Sequence, residues 1–179
     1  MKIYPAKFKN NDITTRVNWI NNPKINGTMF FNLPATIGDT EKWFNQNIGN
    51  QNRIDFSFKN ENDELIAMGG FTGIHTQHNN AEFYVMVNPE MQGQGIGKKV
   101  SIWMYNYAFS KLNLHKIYLY TNDDNVSAYS IYEKAGFKLE GLLREHKWKN
   151  GKYQNRRFYG LLKEEWDRIE WKQIIDDDI

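Results

Sequence analysis

A mixed α+β fold, with a mostly antiparallel twisted sheet flanked by helices, is predicted by three observations. Apolar residues alternate with polar ones through 54–58, form apolar runs at 65–74 and 81–87, and then recur every three or four residues through 95–111. A strand pattern at 116–121 and a helical pattern at 125–135 follow. Residues 137–148 and 153–162 read as two aromatic strands joined by Lys149-Asn150-Gly151-Lys152, and Asn-Gly is the strongest short hairpin signal. Two hairpins around a single strand–helix–strand–helix unit do not suit a doubly wound parallel sheet.

Taken in order, Asn11-Asp12 offers an N-cap for a helix carrying Ile13, Val17 and Ile20, stopped near Pro23. A second helix opens at Asp39 and is expected to bury Trp43, Phe44 and Ile48. Ile54, Phe56 and Phe58 then face one way, polar residues 60–63 turn the chain, and 65–74 returns as a strand. After His78-Asn79-Asn80, the strand at 81–87 ends before Pro89, where a backbone donor is lost. The helix at 95–111 carries Ile96, Val100, Trp103, Met104, Tyr107 and Ala108 on its apolar face. Gly136 stands where a left-handed C-cap would end the helix at 125–135. A short helix at 163–171 closes the chain, and Asp176-Asp177-Asp178 reads as a frayed acidic tail.

Composition narrows the function. With 179 residues, no repeat and no linker, one domain over 1–179 is expected. The net charge of +2 is too small for a protein that lives on phosphate-backbone contacts, so no nucleic acid partner is expected. Zero cysteines exclude thiolate chemistry and disulfides and fit a reducing compartment. No apolar run approaches a bilayer span, and the first residues lack a secretory signal, so a cytoplasmic protein with no membrane partner is expected. No His/Cys cluster or ordered carboxylate array suggests a metal site.

The segment Gln92-Gly93-Gln94-Gly95-Ile96-Gly97-Lys98-Lys99 lies between a strand and a helix. It is not a P-loop, because Gln92 stands where the first glycine belongs and Lys99 where Ser or Thr belongs. It is not the dinucleotide fingerprint either, because Lys98 occupies the last glycine position. What remains is a glycine-rich turn at a helix N-terminus, where amides without neighbouring side chains can face an anion such as pyrophosphate. A plain flexible loop capping the helix is the competing reading.

Gln92 to Gly97 matches the Q/R-x-x-G-x-G/A motif of the GNAT superfamily of N-acetyltransferases, and residues 125–137, with Tyr132-Glu133-Lys134-Ala135-Gly136-Phe137, match its second half. The chain therefore resembles that family over residues 80–166. Its ending, Gly141-Leu142-Leu143-Arg144-Glu145-His146 to Tyr159-Gly160-Leu161-Leu162, looks like the branch of ribosomal-protein, spermidine and amino-sugar acetyltransferases. The first 75 residues match that branch only in layout.

The resemblance implies the GNAT fold, with a splayed central strand pair, and acetyl-CoA as co-substrate. Amides of Gln92, Gly93, Gln94, Gly95, Ile96, Gly97 and Lys98 would hold the pyrophosphate, and backbone groups near Met86 and Val87 would pair with the pantetheine arm. A bulge in the strand at 81–87 would part it from the strand at 116–121. Asn125 would meet the pantetheine amides, where Ser127 and Ala128 are small, although Asn125 is also a good helix N-cap. Tyr132 would be the general acid that protonates the leaving thiolate, or would simply pack in the core. A backbone N–H near Val87 would meet the oxyanion.

The base is harder to place. Some relatives carry a Glu on the strand at 116–121, but its position here is Tyr120. Glu82, on one face with Tyr84 and Met86, is the substitute candidate, against the reading of an exposed strand-end carboxylate. His75 and His146 titrate in the useful range, but an isolated His is more often structural. Residues 138–157 hold seven Lys or Arg against two Glu, whereas 164–179 hold seven acids against two bases. A basic hairpin favours an acidic or phosphorylated acceptor such as a nucleotide amino sugar, but the 3′-phosphate of CoA or a merely solvated face would explain it too. The resemblance implies transfer to a small-molecule primary amine, direct because no cysteine exists to carry the acetyl group, with polyamines first, then nucleotide amino sugars, then protein N-termini. A non-catalytic acyl-CoA-binding sensor is the alternative, and a homodimer is plausible for this branch.

Overall fold

The computed structural model describes residues 1–168. Seven strands form one sheet: β1 (Tyr4–Lys7), β2 (Arg53–Lys59), β3 (Leu65–His75), β4 (Asn80–Val87), β5 (Lys116–Asn122), β6 (Lys138–Lys149) and β7 (Lys152–Leu162). Their order is β1-β2-β3-β4-β5-β7-β6, antiparallel except between β4 and β5. The helices are α1 (Ile13–Asn21), α2 (Pro23–Asn26), α3 (Ile37–Asn47), α4 (Ile96–Ser110), α5 (Val126–Lys134) and α6 (Lys163–Trp166). The mixed α+β arrangement expected from the order of periodicities is the one found.

Each face of the sheet has its own core. On one, Phe56 and Phe58 from β2 and Phe83 from β4 pack under α4, with Trp103 edge-on to Phe56 at 5.2 Å and to Phe58 at 5.4 Å. Such aromatic pairs add about 0.5–1.5 kcal/mol beyond the area they bury. On the other, Met68 and Met86, directly opposed across β3 and β4, meet Ile13, Val17, Ile20 and Ile25. A long helix therefore covers one face, and short helices with the loops between them cover the other. None of the described helices is long and apolar enough to cross a membrane.

Several boundaries differ from expectation for local reasons. β1 has no counterpart in the sequence reading, being four residues at the sheet edge with Pro5 among them, where a missing N–H is tolerated. Pro23 does not merely stop α1; Asn22 accepts from the Lys24 amide at 2.9 Å and Pro23 starts α2. Asp12 does not cap α1 with its side chain; it turns back to the Lys9 amide at 2.9 Å and the Ser57 hydroxyl at 2.6 Å. α3 opens at Ile37, capped by Thr36 through the Asp39 amide at 3.1 Å, and ends before Ile48, which is 67% exposed rather than buried. α6 ends at Trp166, whose indole donates to Asn106 at 2.7 Å; the rest of the helix expected to residue 171, and the acidic tail, lie outside the described residues.

Candidate active site

The glycine loop has the geometry its sequence suggests. Gly93 and Gly95 have φ of 81° and 78°, and a Cβ added to either would meet nothing within 4 Å. Positive φ with open space beside it lets a ligand approach the loop backbone closely. Gly95 caps α4 without a side-chain hydrogen bond, so the amides of the first turn lack a side-chain acceptor. Gly97 faces β4, where an added Cβ would stand 3.3 Å from Val87 Cγ2. The cradle thus fits a polyanion, with the dipole of a 15-residue helix behind it.

Beside this loop the sheet opens. β4 and β5 pair only at Asn80–Lys116, Ala81–Ile117 and Glu82–Tyr118, while β5 continues against β7 as far as Asn122. From Phe83 to Val87, β4 has no strand on that side, so Met86 and Val87 present a backbone edge to the gap. The expected bulge in β4 is absent: its register with β3 runs unbroken from Glu82 to Val87. The irregularity lies on β3 between Thr72 and His75, where Gly73 has φ 58°.

One wall of the gap is α5. Asn125 caps it, its Oδ1 accepting from the Ala128 amide at 3.3 Å and the Ser127 hydroxyl at 3.1 Å. The cap reading of Asn125 therefore holds through the carbonyl oxygen, and the amide N–H2 has no partner among the described residues. Ser127 is exposed and Ala128 half-buried. The helix is pinned to β7 by the Tyr159 hydroxyl, which donates to Glu133 at 2.6 Å, and by Arg157, which bonds Asp123 at 2.7 Å and covers Tyr129 at 4.2 Å. None of these anchors stands out in the sequence, because each joins segments more than 20 residues apart.

Tyr132 projects from α5 onto the Phe83 and Phe137 rings, 6.5 and 5.9 Å away. Its ring packs in the core, as one reading had it, yet its hydroxyl makes no hydrogen bond among the described residues. Burial pushes its pKa up to about 12, so it is a protonated donor across the neutral range. The Tyr105 hydroxyl, in its electrostatic reach and also raised by burial, is a neighbour the sequence did not single out.

Glu82 emerges on the opposite face, together with Tyr84 and Met86, as alternation required. It is half-buried rather than an exposed strand end. Burial raises its pKa, against the opposing pull of Arg156, the Thr72 hydroxyl, Arg53 and Lys147. Tyr84 donates to Asp55, which also holds Arg53 in a two-point ion pair at 2.7 and 2.9 Å. Gly70 lies across from Tyr84, and a Cβ there would meet the Ile54 carbonyl and, at 2.9 Å, the Tyr84 ring. Tyr120 lies tilted against Phe158 at 5.0 Å, beneath the Arg156 guanidinium, and stacked with His146. His75 instead stacks on His78 at 4.2 Å in the β3–β4 turn, accepting from its amide at 3.2 Å.

Comparison with known proteins accords with this geometry. A family profile described as "Acetyltransferase (GNAT) domain" matches residues 6–138, reaching back through the segments that resemble the family in layout alone. Spermidine N(1)-acetyltransferase of Vibrio cholerae serotype O1 is 32% identical over 151 residues, 84% of this chain and 87% of that protein. The Bacillus subtilis protein named putative ribosomal N-acetyltransferase YdaF is 28% identical over 109 residues, 58% of this chain and 60% of its own length. The solved spermidine N-acetyltransferase from Vibrio cholerae in complex with CoA and spermine superposes with a TM-score of 0.90 at 28% identity, covering 93% of this chain and 99% of that one. A strand pair that parts beside an open glycine loop, together with these matches, identifies the chain as a member of the GNAT family of acetyl-CoA-dependent N-acetyltransferases.

Proposed function

We propose that this enzyme moves the acetyl group of acetyl-CoA directly to the primary amine of a small molecule, with the donor on the α4–α5 face of the parted strands and the acceptor on the Glu82 face. One observation carries the reading: pairing between β4 and β5 stops at Glu82, and the next residue, Phe83, packs against Tyr132 on the other face. A base and an acid thus flank one opening. Kinship with the spermidine acetyltransferases supports a polyamine or another small primary amine as acceptor.

In this reading the amides from Gln92 to Lys98 receive the pyrophosphate. The Met86 and Val87 backbone and the Asn125 amide line the pantetheine path, past Ser127 and Ala128. The amine must arrive unprotonated, and Glu82 takes its proton directly or through one water. As nitrogen attacks the thioester carbon, the developing oxyanion turns to a β4 amide near Val87. The C–S bond breaks and Tyr132 supplies the proton to the leaving sulfur. A single domain acting in the cytoplasm fits the absence of cysteine. Pairing into a homodimer is supported by the edge position of β6 and its exposed Leu139 and Leu142.

Thiol release from acetyl-CoA, measured over spermidine, amino sugars, their nucleotide forms and short peptides, tests the reading. Turnover with one acceptor class is expected. Tight acetyl-CoA binding with no thiol release from any acceptor would instead favour the acyl-CoA sensor.

A further inference from the structure

The acceptor face is crowded with cations. Arg156, on β7, lies between the rings of Phe30 and Tyr120, 5.1 Å from each centroid. Its Nη2 donates to the Tyr120 carbonyl at 2.9 Å, while its Nε is buried and meets no acceptor. Lys147 stands 6.0 Å from the same Phe30 ring. Lys149 is already engaged with the Asn26 and Met29 carbonyls, and Arg53 with Asp55. Among the described residues neither Arg156 nor Lys147 has an ion-pair partner. Glu82 interacts electrostatically with both, yet it forms an ion pair with neither.

A half-buried guanidinium with an unmatched N–H is an unfavourable arrangement unless something outside the chain completes it. The donor's phosphates do not fit that role. Ile117 and Leu119 of β5 face the core under α4, so Tyr118 and Tyr120 face the other way, and Arg156 stacks on Tyr120 with Glu82 in reach. The glycine loop opens α4, on the opposite side. A ligand that bridges the space must offer an amine to Glu82 and negative charge to Arg156. The planar guanidinium fork is well matched to phosphate or carboxylate oxygens, and an acceptor with further ammonium groups would set them against two cations that have no ion-pair partner among the described residues.

We propose that the acceptor is a small amine that also carries a phosphate or carboxylate, with that anion seated on Arg156 and Lys147 while the amine faces Glu82. The inference rests on the acetyl-transfer reading of the site and, among the small primary amines that reading allows, sets the anionic ones above the polyamines.

Matched pairs test it: ethanolamine with phosphoethanolamine, glucosamine with glucosamine 6-phosphate and with a nucleotide-linked glucosamine, ethylamine with β-alanine, and spermidine alongside, all at saturating acetyl-CoA. The anionic member of at least one pair should exceed its neutral partner at least tenfold in kcat/KM; the phosphate and carboxylate arms tell which anion is read. Arg156→Gln should shrink that ratio about tenfold, chiefly through KM, and Arg156→Lys should restore part of it. Lys147→Gln, at an exposed side chain, should shrink it more modestly and serves if Arg156→Gln does not fold. Neutral amines or spermidine matching or surpassing every anionic acceptor overturns the proposal while leaving acetyl transfer intact. A ratio unmoved by either variant does the same. No thiol release with any acceptor removes the acetyl-transfer reading, and this inference with it.

Discussion

Tyr132 meets Phe83 edge to face at 6.5 Å, one residue beyond the last pair that joins β4 to β5. The contact sets the phenol beside the gap while leaving its hydroxyl without a hydrogen-bond partner among the described residues, as the proposed proton donor would need. Tyr132→Phe keeps the ring and removes only the proton. Its kcat should fall by about 10²–10⁴, the usual worth of a positioned acid. Acetyl-CoA affinity should stay within about twofold by calorimetry, and the melting temperature should barely move, because no hydrogen bond is lost.

The pH dependence follows from the two directions of shift. In the proposed mechanism Glu82 must be ionised to accept a proton, and burial raises its pKa, so its acid limb in kcat/KM should lie above the ordinary carboxylate value of about 4.3. Tyr132 must stay protonated, and with its pKa near 12 it should place no alkaline limb below pH 10. A pH–rate profile of the native enzyme beside Glu82→Gln checks this: the Glu82 limb should vanish in the variant along with most of the rate, whereas the limb set by deprotonation of the acceptor ammonium should remain.

Glu82→Gln should also change stability, in the opposite sense to activity. A carboxyl whose pKa is raised by folding contributes stability below its unfolded pKa, and that contribution is lost as the pH rises through the folded value. The variant escapes the loss. It should melt about 1–2 °C above the native protein at pH 8, the gain being small because the group is partly solvated, and no higher below pH 4. Parallel thermal scans at the two pH values measure the difference.

Gly95→Ala tests the loop. Nothing obstructs the methyl, but φ 78° is a conformation that costs an L-residue about 1–2 kcal/mol. Relief of that strain would turn the loop amides, so the KM for acetyl-CoA should rise about tenfold or more while the acceptor KM holds.

Gly70→Ala tests the floor of the acceptor face. An added Cβ would press on the Ile54 carbonyl and the Tyr84 ring, and overpacking of this kind costs about 1–3 kcal/mol. Urea unfolding should register that loss, and the acceptor KM should rise as Tyr84 moves away from Asp55.

Much of the donor side could be read along the chain because its parts are local. Gln92 to Lys98 is one continuous turn, and two of its three glycines, Gly93 and Gly95, take the positive φ that only glycine adopts freely. Asn125 and Gly136 bracket α5 by capping chemistry that needs only a few neighbours. Asn150-Gly151, with φ of 51° and 77°, forms the hairpin its dipeptide specifies. Where local signals were weak or tied, the reading slipped: Thr36 and Asp39 are both good caps, and the four residues of β1 are too few to show a period.

The acceptor side was decided by the tertiary structure. Local propensity and periodicity set the order of strands and helices and the glycine loop at the head of α4, since each depends on spacing within one segment, and Tyr132 was marked out by its resemblance to the family motif. They do not say that Arg156 would slide between Phe30 and Tyr120, that Tyr84 would reach Asp55, or that β4 would part from β5 at Glu82 without a bulge of its own. Those contacts join β2, β4, β5, β7 and the loop after α2 across separations of 29 to 126 positions. They form only when the sheet assembles, because burial and Coulomb attraction act through space and not along the chain.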